Sequence, residues 1–295
     1  MIDHEIQAPA ALPSTRKGPT RVGRGFRVLL GRPSRTIGIA LIALAAIAAV
    51  FAPVVAPYDP FALAGTPFDH PSSQFLLGTD NLGRDVLSRV IWGTRTSLPF
   101  AVGAAGISLI CGLTFGSLAG YYGGAIDHLL SRIFEIFVMI PMLVLLIVVA
   151  SLYGRHLSFT MIVIGLVIWP ANAKIARAQV LTIKTRGYVT AARGAGASDW
   201  WLLTRRIIPN GISPVIANSV MQVAAALLIE ASLAFLGLGD PNVVSWGQMI
   251  QDARPYLQIA WWSAVFPGMA LALLVLAFHL IGEGFETEES HRSVF

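Results

Sequence analysis

The segment Thr190–Pro209, TAARGAGASDWWLLTRRIIP, is basic, punctuated by glycine and flanked on both sides by long apolar runs. Its placement governs how the rest of the chain is read. A basic segment between apolar runs is a loop at the surface of a protein whose remainder lies in a bilayer. Within it, Ser198 is a good N-cap, Asp199 suits the positive first turn of a helix, and Arg205 and Arg206 suit its negative last turn. Pro209-Asn210-Gly211 is expected to stop that helix. On a helical wheel Trp200, Leu203, Thr204, Ile207 and Ile208 share one side, and Asp199, Arg205 and Arg206 the other, with Leu202 among them. Lys174–Tyr188 is expected to carry the preceding apolar run onward as a helix, and Gly187, Gly194 and Gly196 allow sharp bends. The loop reads as two short helices about a glycine-rich bend, with Ala191, Ala192, Ala195, Gly196 and Ala197 at the tip. Small side chains let a partner's groove approach the backbone closely. The plainer alternative is a solvated loop that only satisfies the charge rule for membrane topology.

Composition agrees with a bilayer as solvent. The chain has 295 residues, 55% hydrophobic and 13% charged, with mean hydropathy +0.68. A soluble domain carries about 25% charged residues, so this chain has too little polar surface to cover itself in water. The single Cys111 lies in an apolar run and excludes an intrachain disulfide framework. The formal charge of +5 invites a nucleic-acid reading, but the basic residues cluster where topology explains them better.

Residues 1–35 form a basic, Pro- and Gly-rich cytoplasmic tail. The apolar run Thr36–Ala56 is uncharged and longer than the roughly 7–15 residues of a signal-peptide core, so it reads as a first span and not a cleaved leader. Residues 57–95 are Pro-rich at first, then helical from about Asn81. Asp80 is the candidate cap, Leu82, Val86, Val90 and Ile91 form the apolar face, and Trp92 sits at the interface of an amphipathic surface helix. The Asp, Asn and Gly residues there lack the spacing of a calcium loop. Further spans are expected at Leu98–Ala125, Ile136–Tyr153, Leu157–Ala173, Ile212–Leu238 and Ile259–Gly282, giving an all-α polytopic membrane protein with six transmembrane helices. Gly103, Gly106, Gly112, Gly116 and Gly120 permit close packing in the second, and Pro141 and Pro170 are expected to kink the third and fourth. With both termini cytoplasmic, 16 of the 21 Lys and Arg residues fall on the cytoplasmic side.

The loop resembles the cytoplasmic EAA loop of ABC importer permeases: Thr190-Ala191-Ala192, Gly196 and Ile208-Pro209 stand at the matching spacing, with Thr190 in place of the usual Glu. Three more stretches are similar to the C permease component of the dipeptide, oligopeptide and nickel branch: residues 77–98, 120–137 and 230–250. The C-terminus departs from that pattern, reading IGEGFETEESHRSVF. The resemblance implies a MetI-like type I ABC importer permease fold in the inner membrane. It divides the chain into the tail, a first span with an external segment (36–95), a permease domain (96–285) with a coupling loop (184–211), and an acidic tail (286–295). It also implies a homologous second permease, two ATPase subunits or domains docking at Thr190, Ala191, Ala192, Gly196, Ala197, Ser198, Asp199 and Pro209, and an extracytoplasmic solute-binding protein. No cofactor or metal is then expected on this chain; ATP and magnesium belong to the ATPase partners, since no G-x-x-x-x-G-K-[ST] phosphate loop is present.

Polar residues inside the spans are the remaining candidates. Glu230 costs roughly 2.5–3.5 kcal/mol at depth and needs a partner, a proton or water. Ser219 lies eleven residues before it and shares its azimuth, with Asn218 and Gln222 on a nearby face. These four either line the translocation path or hydrogen-bond to a partner permease. His279, Met139 and Met142 read as packing before metal binding, and Arg155-His156 as a solvated external turn. Short peptides are the expected solute, with nickel or another small solute as the alternative. An ion-coupled secondary transporter would need coupling-ion ligands and often an internal repeat. An intramembrane enzyme would need a His–Glu or Ser–His pairing, and no H-E-x-x-H occurs.

Overall fold

The computed structural model describes the backbone of residues 33–292 and the side chains of residues 34–282, so the basic tail expected at 1–35 lies almost wholly outside the described residues, while the acidic tail expected at 286–295 has its backbone described to Arg292, as the end of a helix. The described residues are helical throughout the apolar runs. Helix α1 is Pro33–Val55, α2 Val86–Tyr122, α3 Gly124–Met139, α4 Met142–Tyr153 and α5 Leu157–Ile183. The loop contributes α6 (Gly187–Gly194) and α7 (Asp199–Leu202), followed by a π-helical turn at Leu203–Ile207 and then α8 (Ile208–Leu233). Helix α9 is Trp246–Ala253 and α10 is Trp262–Arg292.

Five helical segments are long and apolar enough to cross a membrane, and a sixth crossing exists only if α3 and α4 are counted as one bent element. The kink expected at Pro141 in the third span is present, but it divides two helices, so the span expected at Ile136–Tyr153 is not one continuous helix. The chain turns by 81° between α3 and α4 at Ile140-Pro141. Helix α4 has 12 residues, about 18 Å, against a hydrocarbon core of about 30 Å. Residues 124–135, expected as a turn, are helical as well. Pro170, by contrast, sits inside an unbroken α5.

The expected surface helix before the second span is also corrected. Helix α2 starts at Val86, not near Asn81, and runs without a break for 37 residues, about 55 Å, so the amphipathic stretch and the span are one element. Asp85 caps it, accepting from the Ser88 amide. Asp80 cannot be the cap because its carboxylate is used in a turn of its own: Oδ1 accepts from the amides of Leu82 and Arg84. Gly83 closes that turn at φ +79°, and a Cβ there would overlap the Gly65 carbonyl. Leu82, expected on the apolar face, lies outside the helix and is exposed.

Helices α2, α5 and α8 form the centre, and α1 packs along α2 and α10. The α2–α5 contact depends on three glycines one turn apart. A Cβ on Gly112 would overlap the Asn172 side chain, one on Gly116 the Ala173 carbonyl, and one on Gly120 would stand 2.8 Å from the Arg177 carbonyl. Gly103 meets Met161 in the same way, whereas Gly106 faces open space.

The segment of residues 56–85 folds back as a cap over α2, α9 and α10. Asp80 Oδ2 pairs with Arg84 Nε at 2.7 Å and with Arg89 Nη1 at 2.9 Å, and both guanidinium groups face Asp252 of α9 at 3.7 Å. The Trp246 indole donates to the Val90 carbonyl and the Trp262 indole to the Thr79 carbonyl. Burial pushes the Asp252 carboxyl above its ordinary value, against the pull of Arg89 and Arg84.

Candidate functional site

The loop of residues 184–211 is a small platform with its own apolar core. Helix α5 continues the preceding apolar run as expected but ends at Ile183, short of the expected Tyr188, and α6 follows after a bend at Lys184–Arg186. Tyr121 at the end of α2 packs with Val180, Ile183, Val189, Leu202, Leu203 and Ile207. Gly196 turns the chain at φ +88°, a conformation that favours glycine, and a Cβ there would meet nothing within 4 Å. Ser198 caps α7 by accepting from the Trp201 amide.

The expected stop at Pro209 is not a stop. Pro209 lies at the start of α8, and the chain is helical from Asp199 to the kink at Gly237. The π-turn before it explains why: widening the helix makes room for a ring that lacks an N–H, the Ile208 amide reaches back to the Leu203 carbonyl, and the Asn210 side chain donates to the Arg206 carbonyl. The same turn breaks the 3.6-residue period on which the expected wheel was drawn. Leu202, Leu203 and Ile207 are the buried side chains, while Trp200 is 67% exposed. Trp201 is exposed too, with the Arg206 guanidinium 5.2 Å from its ring centre.

Of the residues predicted to dock a partner, Thr190, Ala191, Gly196, Ser198, Asp199 and Pro209 are exposed, and Ala192 and Ala197 are half-buried against the loop core. Thr190 bonds only weakly to its own helix, at 3.4 Å from the Arg186 carbonyl. Asp199 is exposed yet engaged: the Tyr121 hydroxyl donates to its Oδ1 at 2.5 Å. Tyr121 and its second partner, Arg193, are functional candidates that sequence reasoning missed. Nothing in a periodic pattern links residues 78 positions apart.

The four polar residues predicted inside the spans separate. Asn218, Ser219 and Gln222 of α8 meet Asn172 of α5 and Ser108 of α2. Asn172 Nδ2 lies 2.9–3.1 Å from Gln222 Oε1, Ser219 Oγ and Ser108 Oγ, and its Oδ1 accepts from Asn218 Nδ2. Gln222 Nε2 donates onward to the Ile168 carbonyl. These bonds join three helices of this one chain, so the network ties the chain to itself. Asn172 and Ser108 were detectable in principle as polar side chains in apolar runs. Glu230 is not part of this group. It shares the azimuth of Ser219 but stands eleven residues further along, about 16 Å, and so meets a different neighbour, Ser245 ahead of α9. Its carboxyl is 5% exposed and its Oε2 has no hydrogen-bond partner.

Elsewhere Arg177 of α5 grips Asp127 of α3 through Nε and Nη2, at 2.5 and 2.6 Å, beside a cavity of about 510 Å³ also lined by Arg132 and Glu135. At the other end of α5 Asp240 accepts from the Leu157 amide, and Arg155 Nη1 donates to the Gly237 carbonyl at 2.7 Å. His279 Nδ1 contacts the Val275 carbonyl of its own helix; Met139 is exposed and Met142 packs on the core. Among the described residues no three of His, Cys, Asp and Glu come together as a metal site would require.

Comparison with known proteins gives this architecture a context. Residues 112–287 match the family described as the binding-protein-dependent transport system inner membrane component. A di/tripeptide transport system permease of Pseudomonas aeruginosa is 40% identical over 255 residues, 84% of each chain. A dipeptide transport system permease of Haemophilus influenzae is 37% identical, over 84% of this chain and 87% of that one. A glutathione transport system permease of Pectobacterium atrosepticum is also 37% identical, over 84% and 83%. A multi-pass helical membrane protein with glycine-packed spans and a self-supported loop between them, matched over these lengths, belongs to the family of binding-protein-dependent transport system inner membrane components.

Proposed function

We propose that this chain is one of two homologous permeases that together form the membrane path of an ATP-driven importer of short peptides. The observation that carries the reading is the loop tip. Thr190, Ala191, Ala195, Gly196 and Ser198 stand exposed on a platform whose own core is closed, which is the shape of a surface finished by another protein. ATPase subunits or domains, two per assembly, dock on that tip and carry the ATP and magnesium. An extracytoplasmic binding protein delivers the solute to the cap of residues 56–85 and α9. The path uses six crossings with both termini in the cytoplasm, the bent α3–α4 pair serving as the third.

Peptides rank ahead of nickel because relatives of 37–40% identity are named for di- and tripeptides, dipeptides and glutathione. The polar network at Asn172 favours a structural role, since its amide and hydroxyl groups are already paired within the chain. The pore wall is therefore sought on faces that a second permease would complete.

The test is ATP-dependent uptake of a labelled dipeptide into proteoliposomes holding the whole assembly. Ala195→Arg places a bulky charge at the tip without the backbone strain that Gly196→Arg would add at φ +88°. Loss of uptake together with loss of ATPase co-purification, from a chain that still inserts, supports docking at the tip. Normal assembly and uptake by Ala195→Arg refutes it. Uptake of nickel with no uptake of dipeptide refutes the substrate assignment alone.

A further inference from the structure

Tyr121 is where the long helix α2 meets the loop. Its ring is buried in the loop core, and its hydroxyl touches both helices that flank the tip. It donates to Asp199 Oδ1 of α7 at 2.5 Å and accepts from Arg193 Nη2 of α6 at 3.2 Å, with the Arg193 guanidinium 5.8 Å from the ring centre. A bond of that length from a hydroxyl to a carboxylate belongs to the strong, charge-assisted class. Lys184 clamps the backbone at the same place, its Nζ donating to the Gly120 carbonyl at 2.6 Å.

We propose that Tyr121, Asp199 and Arg193 form a positioning unit that makes α2 move with the loop tip, so that Asp199 acts inward on α2 and not outward on the ATPase. This rests on the docking role argued above. The simple reading of Asp199, a favourable charge in the first turn of α7, leaves its geometry unexplained. Ser198 already caps that helix, and the carboxylate is turned onto a phenol at the end of another element. Helix α2 is suited to carry motion. It is unbroken over about 55 Å and seated on α5 through glycines that allow little slack. At its far end Arg89 and the Val90 carbonyl lock it to the cap. A tip displaced by its partner would thus pull on the element that reaches the opposite face.

The experiment uses the reconstituted assembly and reads three quantities: ATPase co-purification, peptide-stimulated ATP hydrolysis, and peptides transported per ATP. Tyr121→Phe keeps the buried ring and removes only the hydroxyl. Co-purification and hydrolysis are expected to stay near the unsubstituted level, while peptides per ATP fall about tenfold, the size expected for a hydrogen bond to a charged group. Asp199→Ala is expected to match it. Asp199→Asn keeps an acceptor and is expected to rescue most of the ratio. The doubly substituted Tyr121→Phe/Asp199→Ala chain is expected to be no worse than the worse single one. An unchanged ratio in Tyr121→Phe overturns the proposal, as does a parallel drop of uptake and hydrolysis, which marks mere destabilisation. Release of the ATPase by Asp199→Ala but not by Tyr121→Phe would also overturn it, making Asp199 a contact residue. If the unsubstituted chain fails to retain the ATPase, the functional reading itself falls, and that is seen before any variant is compared.

Discussion

At its N-terminal end α2 enters a cap in which the Asp80 carboxylate alone accepts four hydrogen bonds and two buried indoles close on backbone carbonyls. At its C-terminal end it enters a loop held by six buried aliphatic side chains and one phenol, with small residues standing exposed beyond. The difference separates a surface satisfied within the chain from the surface proposed to meet a partner. Buried charges must be satisfied within the chain or they destabilise it. A tip of alanine, glycine, serine and threonine leaves little unsatisfied in water and fits closely into whatever grips it. The cap is thus built to hold a shape, and the loop to present one.

Asp80→Ala should have the largest effect on stability. It leaves Arg89, whose side chain is 3% exposed, with only the longer 3.7 Å pairing to Asp252, and breaking a buried ion pair costs about 3–5 kcal/mol. A thermal unfolding midpoint in detergent that does not move would break the contrast, because the cap would then be as loosely tied as the loop. Gly116→Leu comes next. It forces a side chain against the Ala173 carbonyl and is expected to cost about 3 kcal/mol as overpacking, with both ends of α2 loosened together. Hydrogen exchange that rises at one end only would show that α2 does not act as a single rod. Ala195→Arg should change stability by less than about 0.5 kcal/mol while abolishing ATPase retention. A large fall in midpoint would mean that the tip is part of the fold and not a surface.

The smallest effect concerns pH at Asp240. Burial raises the Asp240 carboxyl, but the Asn242 and Leu157 amides outweigh it and hold the group below its ordinary value. A depressed folded-state pKa adds stability above the ordinary carboxylate value of about 4, and that stability is lost as pH falls through the lower folded value. The midpoint difference between the unsubstituted chain and Asp240→Asn should therefore shrink on acidification below about pH 4. A difference that is flat with pH would show that the link from the 237–242 turn to α5 owes nothing to the carboxylate's charge.

The legible and illegible parts divide along physical lines. Apolar runs near 20 residues had to be helices, because a bilayer leaves backbone amides no other partners, so α1, α2, α5, α8 and α10 were readable. Ser198 was readable as a cap because capping is local. The wheel drawn for residues 199–208 placed Leu203 and Ile207 inside and Asp199, Arg205 and Arg206 outside correctly, but it misplaced Trp200 and Leu202 because it assumed one helical period, and a π-turn at Leu203–Ile207 changes that period in mid-course. Asp80 was misread as a cap because a carboxylate beside a helix start looks the same whether it caps or folds back on itself. Gly83 and the arginines that decide the matter act through contacts outside any helical pattern.

What the sequence by itself determined was the solvent, the helices and the loop. Each follows from composition and from interactions within a few residues along the chain. What only the tertiary structure decided was which polar groups meet. Asn172 joins Ser108, Ser219 and Gln222, Glu230 turns to Ser245 instead, and Asp199 closes on Tyr121. The reason is that a hydrogen bond between helices depends on height and rotation together. A helix fixes the azimuth of its own residues through its period, but only packing against its neighbours sets the height at which they meet.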